Sequence, residues 1–285
     1  MRTSFIAIII VLLFSTSCDW INPSEEIPSY IQIDSIGFSV IGSQGSADQN
    51  FVDAWVYVNG ESVGAYELPC TFPVLASGDV DIQVFPGILL NGISATRGIY
   101  PFVSDFEVSA TLVEDSILHI YPTSTYNTDL EFEIIEDFES GGLVVTGSSL
   151  SDTTIERTSD PALVYEGSYS GVISLDEEHP VADIKTLNDF VLPQSGAYNF
   201  IEMNFKTDVE TAVGVIANIG TQSVYHPVMV LNTTDTWKKI YVNISPVVTR
   251  ESQASSFYIF IRAELPDGES SATVYLDNIK IIHAQ

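Results

Sequence analysis

The sequence is short of cysteine, of positive charge and of histidine, and each shortage removes a class of protein. Only Cys18 and Cys70 occur among 285 residues, so no disulfide framework exists and packing must hold the chain together. Ten Lys and Arg stand against 38 Asp and Glu, a formal net charge of −28. Nucleic acid and anionic lipid headgroups repel such a chain, and neither is expected as a partner. The four histidines, His119, His179, His226 and His283, are dispersed without metal-ligand spacing, and no Ser or Cys nucleophile motif appears. Catalysis is therefore not expected. A sustained helical period is missing too, which argues against helical domains. The one long apolar run, FIAIIIVLLF from Phe5 to Phe14, is too short to cross a bilayer as a helix.

That run follows Arg2 and leads through Ser15, Thr16 and Ser17 into Cys18. The arrangement resembles the lipobox of bacterial lipoproteins, in the loose form found in Bacteroidota, with Ser15 where leucine is usual. The resemblance implies a signal peptide over 1–17 and a lipid on Cys18 that fixes the protein to the bilayer of the outer membrane. An ordinary secretory peptide cut near Ser17 is the other reading of the same residues. With Cys18 lipidated, Cys70 has no partner and is expected as a small buried hydrophobe. Residues 18–29 form an extended tether, because Pro23 and Pro28 each discourage helix in the residue before. Asp19, Glu25 and Glu26 resemble part of the signal that carries such lipoproteins to the cell surface.

From Tyr30 the apolar period is two. FVDAWVYVNGESVGAYEL reads as a hairpin about Asn59-Gly60, and GDVDIQVFPGI as a strand that stops at Pro86-Gly87. Residues 30–127 are expected to form a small antiparallel sandwich. Asn59, Gly60, Gly64, Pro69, Gly78 and Gly87 resemble, in order, the turn positions of the PEGA repeat, which implies a scaffold or contact surface.

The composition shifts near Thr128, and from there to 285 short strands recur between turns, the pattern of a sandwich or jelly roll. The fold class read from the sequence is thus all-β, two antiparallel sandwich domains with the second a jelly roll. EDFESGG, YEGSYSGVISL, WKKIYVNI and VYLDNIKII resemble, in that order, the skeleton of jelly-roll carbohydrate-binding modules. That resemblance implies a structural Ca²⁺ held by Glu139 and Asp277, with backbone oxygens from Gly167 or Ser168. Two carboxylates among several oxygens suit a hard cation, and the other reading makes them strand caps.

Sugar binding needs half-exposed aromatics beside polar side chains. Asn204, Lys206, Tyr225, Tyr258 and Arg262 are expected to line one groove, and Trp237 to serve packing, since it opens a strand with Ile240, Val242 and Ile244 in the core. Asp34-Ser35-Ile36, Asp115-Ser116-Ile117 and Asp152-Thr153-Thr154 resemble an O-glycosylation acceptor, with Thr153 expected as the exposed one. Two functions remain open: a glycan-binding surface lipoprotein, and a structural or interaction subunit of an outer-membrane protein complex.

Overall fold

The computed structural model describes residues 26–284. The signal peptide, Cys18 and most of the tether lie outside the described residues. The N-terminal half contains β1 (Ser29–Ile33), β2 (Gly37–Ser39), β3 (Asp53–Val58), β4 (Glu61–Glu67), β5 (Cys70–Val74), β6 (Gly78–Leu89), β7 (Arg97–Ile99), β8 (Phe106–Leu112), β9 (Ile117–Ile120) and β10 (Thr123–Thr125). One sheet runs β4-β3-β6-β7 with β8 also on β6; a second runs β5-β1-β9; β10 pairs with β2. Asn59 and Gly60 have φ of 52° and 78°, as a two-residue hairpin turn demands, and Val58 lies opposite Glu61.

Two details differ from the sequence reading. The β1–β9 and β2–β10 pairs are parallel, because long excursions separate their members. Strand β6 also runs on through Pro86-Gly87 to Leu89. Proline is tolerated there because the pairing of β6 with β8 stops at Val84 and its pairing with β7 starts at Gly87, so its missing N–H faces the changeover between two partners.

The C-terminal half contains β11 (Leu130–Glu136), β12 (Val145–Gly147), β13 (Ile155–Thr158), β14 (Ser170–Asp176), β15 (Val181–Thr186), β16 (Asn199–Thr207), β17 (Thr211–Ile219), β18 (Gln222–Leu231), β19 (Thr234–Asn243), the short helix α1 (Ser245–Arg250), β20 (Ser256–Glu264) and β21 (Ser271–Ala284). One sheet has the order β13-β14-β21-β16-β19, with β11 on β21, and the facing sheet β12-β15-β20-β17-β18. Alternation along the strands sends Ile201, Met203 and Phe205, Ile240 and Val242, and Phe257, Ile259 and Ile261 into the core between the sheets. The β16-β19-β21 sheet also carries apolar residues on its other face. Phe200, Tyr241 and Ile282 project there into the core of the N-terminal half. Tyr100 packs against Phe200 and Tyr241, with ring centroids 5.7 and 4.8 Å away. Backbone bonds cross the same seam, Asn91 N donating to Tyr241 O at 3.0 Å.

Candidate functional site

Each jelly-roll sheet turns one face away from the sandwich core, and the five side chains expected in one groove divide between these two faces. Asn204 and Lys206 lie on β16, whereas Tyr225, Tyr258 and Arg262 lie on β18 and β20 of the opposite sheet. Strand parity places a residue inside or outside but does not say which sheet its strand joins, so the single groove does not form.

On the β16-β19-β21 face the N-terminal half covers a buried polar group. Glu202 is 1% exposed. It accepts hydrogen bonds from Tyr100 Oη at 2.5 Å and Tyr126 Oη at 2.8 Å. Lys239 Nζ stands 3.2 Å from its other oxygen, near enough for an ion pair but not aligned as a hydrogen bond. Lys280 Nζ donates to Ser46 O at 2.6 Å and to Tyr126 Oη at 3.3 Å. Burial alone would raise the Glu202 pKa, but Lys239, Lys280 and the two phenols outweigh it and hold the carboxyl below its usual range. Burial pushes the Lys280 ammonium down to about 8, partly opposed by Glu202.

Beside this group the seam opens into a cleft of about 1030 Å³, lined among others by Asp48, Asn91, Tyr165, Trp237, Lys239 and Tyr241. Trp237 is half-buried and shares the outward parity of Lys239 and Tyr241, opposite to Ile240 and Val242. It therefore lines the cleft and packs against other aromatic rings there, outside the sandwich core where it was expected. Its ring lies 5.2 Å from that of Tyr165 and 6.3 Å from that of Tyr275, both tilted. Lys206 Nζ sits 5.6 Å from the Tyr275 ring. Tyr165 Oη donates to Asp48 Oδ1 at 2.7 Å, and Asn204 Nδ2 to Asp48 Oδ2 at 2.8 Å. Burial and the Asp48 charge raise the Tyr165 pKa, so the phenol stays a donor. Two buried atoms have no hydrogen-bond partner here, Asn204 Oδ1 and Lys239 Nζ. The cleft thus offers the rings of Tyr165 and Trp237, the Asp48 carboxylate as acceptor and the Lys239 ammonium, which Glu202 holds as an ion pair. Asp48 and Tyr165 escaped the sequence reading because they sit on loops; the parity of Trp237 was a usable signal.

The other face is closed by its own side chains. Phe260 is 2% exposed, beneath Tyr225 at 5.1 Å between centroids. Tyr225 Oη and Ser148 Oγ both donate to Asp183 Oδ2, Lys185 Nζ lies 3.7 Å over the Tyr258 ring, and Arg262 binds Glu264 at 2.7 Å. Most of its polar groups are thus already engaged within the face.

The residues expected to hold calcium surround one turn. Glu139 Oε1 accepts from Ser168 N at 2.7 Å and Tyr169 N at 2.9 Å, and a Cβ on Gly167 would lie 2.4 Å from that oxygen. Asp277, 1% exposed, accepts from Ser170 Oγ at 2.5 Å, Glu166 N at 3.3 Å and Asn278 N at 2.8 Å. Burial pushes its carboxyl up to about 6, with Glu166 adding to the rise. The oxygen-rich donor set is of the kind a hard cation takes, yet N–H and O–H groups already meet both carboxylates. Among the acceptor sites, Ser35 and Ser116 are exposed and Thr153 is half-covered, the reverse of the expected order. Cys70 is half-buried and free, and burial raises its thiol pKa.

No protein-family model and no curated protein matches the chain. Among solved structures it is similar to a carbohydrate-binding module of the β-sandwich superfamily described for promiscuous specificity, at 15% identity and a TM-score of 0.40, over 91% of this chain and 99% of that one. It is also similar to the C-terminal family 22 carbohydrate binding module of Clostridium thermocellum Xyn10B, at 13% identity and a TM-score of 0.39, over 55% of this chain and 96% of the other. A family 29 carbohydrate binding module is similar at 12% identity and a TM-score of 0.34, over 55% and 93%. These are likenesses of fold, and the site rests on its own residues.

Proposed function

We propose that this chain is a non-catalytic glycan-binding protein whose ligand lies in the cleft between its halves. The observation that carries this reading is the cleft wall formed by Tyr165 and Trp237, their rings 5.2 Å apart, beside the Asp48 carboxylate and the Lys239 ammonium. Aromatic faces take the apolar side of a pyranose, and converging donors and acceptors take its hydroxyls. Affinity electrophoresis against a panel of soluble polysaccharides tests it: one or more should retard the wild type but not Trp237→Ala. A panel that retards neither, with both proteins folded, defeats the reading.

Lipidation of Cys18 and residence at the outer membrane's surface belong to the same proposal, since the acidic composition offers no electrostatic hold on lipid. Cys18→Ser should release the protein from membranes, and retention after a high-salt wash would mean a protein partner holds it. Calcium at Glu139 and Asp277, with Gly167 and Ser168, is proposed as a stabiliser of the turn, where it would offset two carboxylates. Equal melting curves in excess Ca²⁺ and in chelator would remove it. A role as an interaction subunit is favoured by one feature, the edge strand β9, whose Ile117 is 52% exposed and is followed by Tyr121 at 72%.

A further inference from the structure

Strand β11 runs antiparallel to the C-terminal end of β21, with Glu131 opposite His283. The register slips between Phe132 and Ile134, so Glu133 is the extra residue of a bulge. The result gathers Glu131, Glu133 and His283, and one ligand atom from each lies within 4.8 Å of the others.

His283 is 6% exposed. Its Nδ1 lies 2.9 Å from the Ala284 carbonyl oxygen, which can only accept, so Nδ1 carries the proton and donates. On a neutral ring Nε2 then presents a lone pair, and it lies 3.2 Å from Glu133 Oε1, a second acceptor. Two acceptors at that separation are held together by positive charge, either a second ring proton or a metal cation. Three features favour the cation. The Nδ1–H to carbonyl bond is the support that orients a metal-ligating imidazole. Two carboxylates and one imidazole neutralise a divalent charge and supply the mixed nitrogen and oxygen set that zinc accepts. The bulge, finally, adds the second carboxylate to a pair that regular register would have left as one.

We propose that Glu131, Glu133 and Nε2 of His283 bind one Zn²⁺, with water in the remaining position, and that the ion ties the first strand of the jelly roll to its last. The assignment is independent of the glycan cleft and of the Glu139–Asp277 turn.

The test uses the untagged full chain, stripped with chelator, dialysed and titrated with zinc chloride in a calorimeter, followed by thermal melts. One equivalent should bind at this site and raise the melting midpoint by several degrees at saturation. His283→Ala should lose that equivalent. Because His283 is buried, the Glu131→Gln, Glu133→Gln double variant, which keeps side-chain size at less buried positions, decides the case should the histidine variant misfold. Asp277→Asn should bind zinc as the wild type does. Absence of saturable binding in the folded wild type would leave an imidazolium ion pair only and overturn the proposal, as would undiminished stoichiometry in the double glutamate variant.

Discussion

The two outward faces of the jelly roll are built alike and used differently. Both carry tyrosines, lysine and a buried acidic residue on outward strand positions, with Lys185 on one face and Lys206, Lys239 and Lys280 on the other. On the β15-β20-β17-β18 face the acid, Asp183, takes two hydroxyl donors and keeps one oxygen without a partner, while Phe260 is shielded by a tyrosine of the same face. On the β16-β19-β21 face the acid, Glu202, is met by Tyr100 and Tyr126 from the N-terminal half. A sheet face sealed by another part of the chain can bury charge, and where the seal stops short it leaves a walled cleft. The N-terminal half therefore forms one wall of the cleft.

The comparison breaks hardest at Glu202. Its removal leaves Lys239 buried without its ion-pair partner, takes from Lys280 its principal countercharge and leaves two phenols without their acceptor. Glu202→Ala is expected to cost about 3–5 kcal/mol in denaturant unfolding, the usual penalty for orphaning a buried charge. Glu202→Gln, which keeps an acceptor but not the charge, should fall between. A loss under 1 kcal/mol would mean that the seam contributes little and the halves are stable separately.

The next largest effect is a pH dependence that only the sealed face should show. Lys280 titrates near 8 in the folded chain against an ordinary 10.5. Between those values the unfolded chain binds more protons, so stability should rise with pH across this window, by at most about 3 kcal/mol. Glu202, Lys239, Glu166 and Asp48 are the charges that bear on it. The raised pKa values of Tyr100, Tyr126 and Tyr241 act in the opposite sense, from about pH 10 upward, where the unfolded phenols ionise first. Urea midpoints at pH 7, 8 and 9 check the rise, and Lys280→Met should flatten it.

How far the sequence foretold this contrast depends on the range of the contacts. Asn59-Gly60 declared its hairpin because the turn and both strands are adjacent in sequence. The parity of Asn204 and Lys206 against Met203 and Phe205 correctly placed two residues on an outer face. The seam was invisible because it joins Glu202 to Tyr100 and Tyr126 across long stretches of chain, and strand alternation does not record what covers an outer face. Grouping Asn204 with Tyr258 failed for the related reason that parity does not identify a sheet. Trp237 was legible in principle, since Lys239 and Tyr241 repeat its parity, but a tryptophan that opens a strand reads equally well as core. Helix α1 is too short for its period to register.

Ligand binding should separate the faces by a smaller margin. Trp237→Ala is expected to weaken binding of a retained polysaccharide by about thirtyfold, roughly 2 kcal/mol, as removal of a central aromatic anchor does. Tyr258→Ala on the opposite face should leave affinity within about twofold, since its ring is engaged by Lys185. A reversed pair of results would move the site to the β15-β20-β17-β18 face while keeping the fold-level reading intact.

The smallest effect expected is at Arg262, and its smallness is informative. The guanidinium binds Glu264 on its own strand, with side chains 34% and 62% exposed, so water screens the pair. Asp183 lies opposite Arg262 in register and helps to raise its pKa. Asp183 nonetheless draws its hydrogen bonds from Ser148 and Tyr225, which Arg262→Ala leaves in place. Arg262→Ala should therefore shift stability by no more than about 0.5 kcal/mol in a urea melt. A loss several times larger would show that Asp183 depends on Arg262 as Glu202 depends on its lysines, and that the open face holds a buried charge pair of its own.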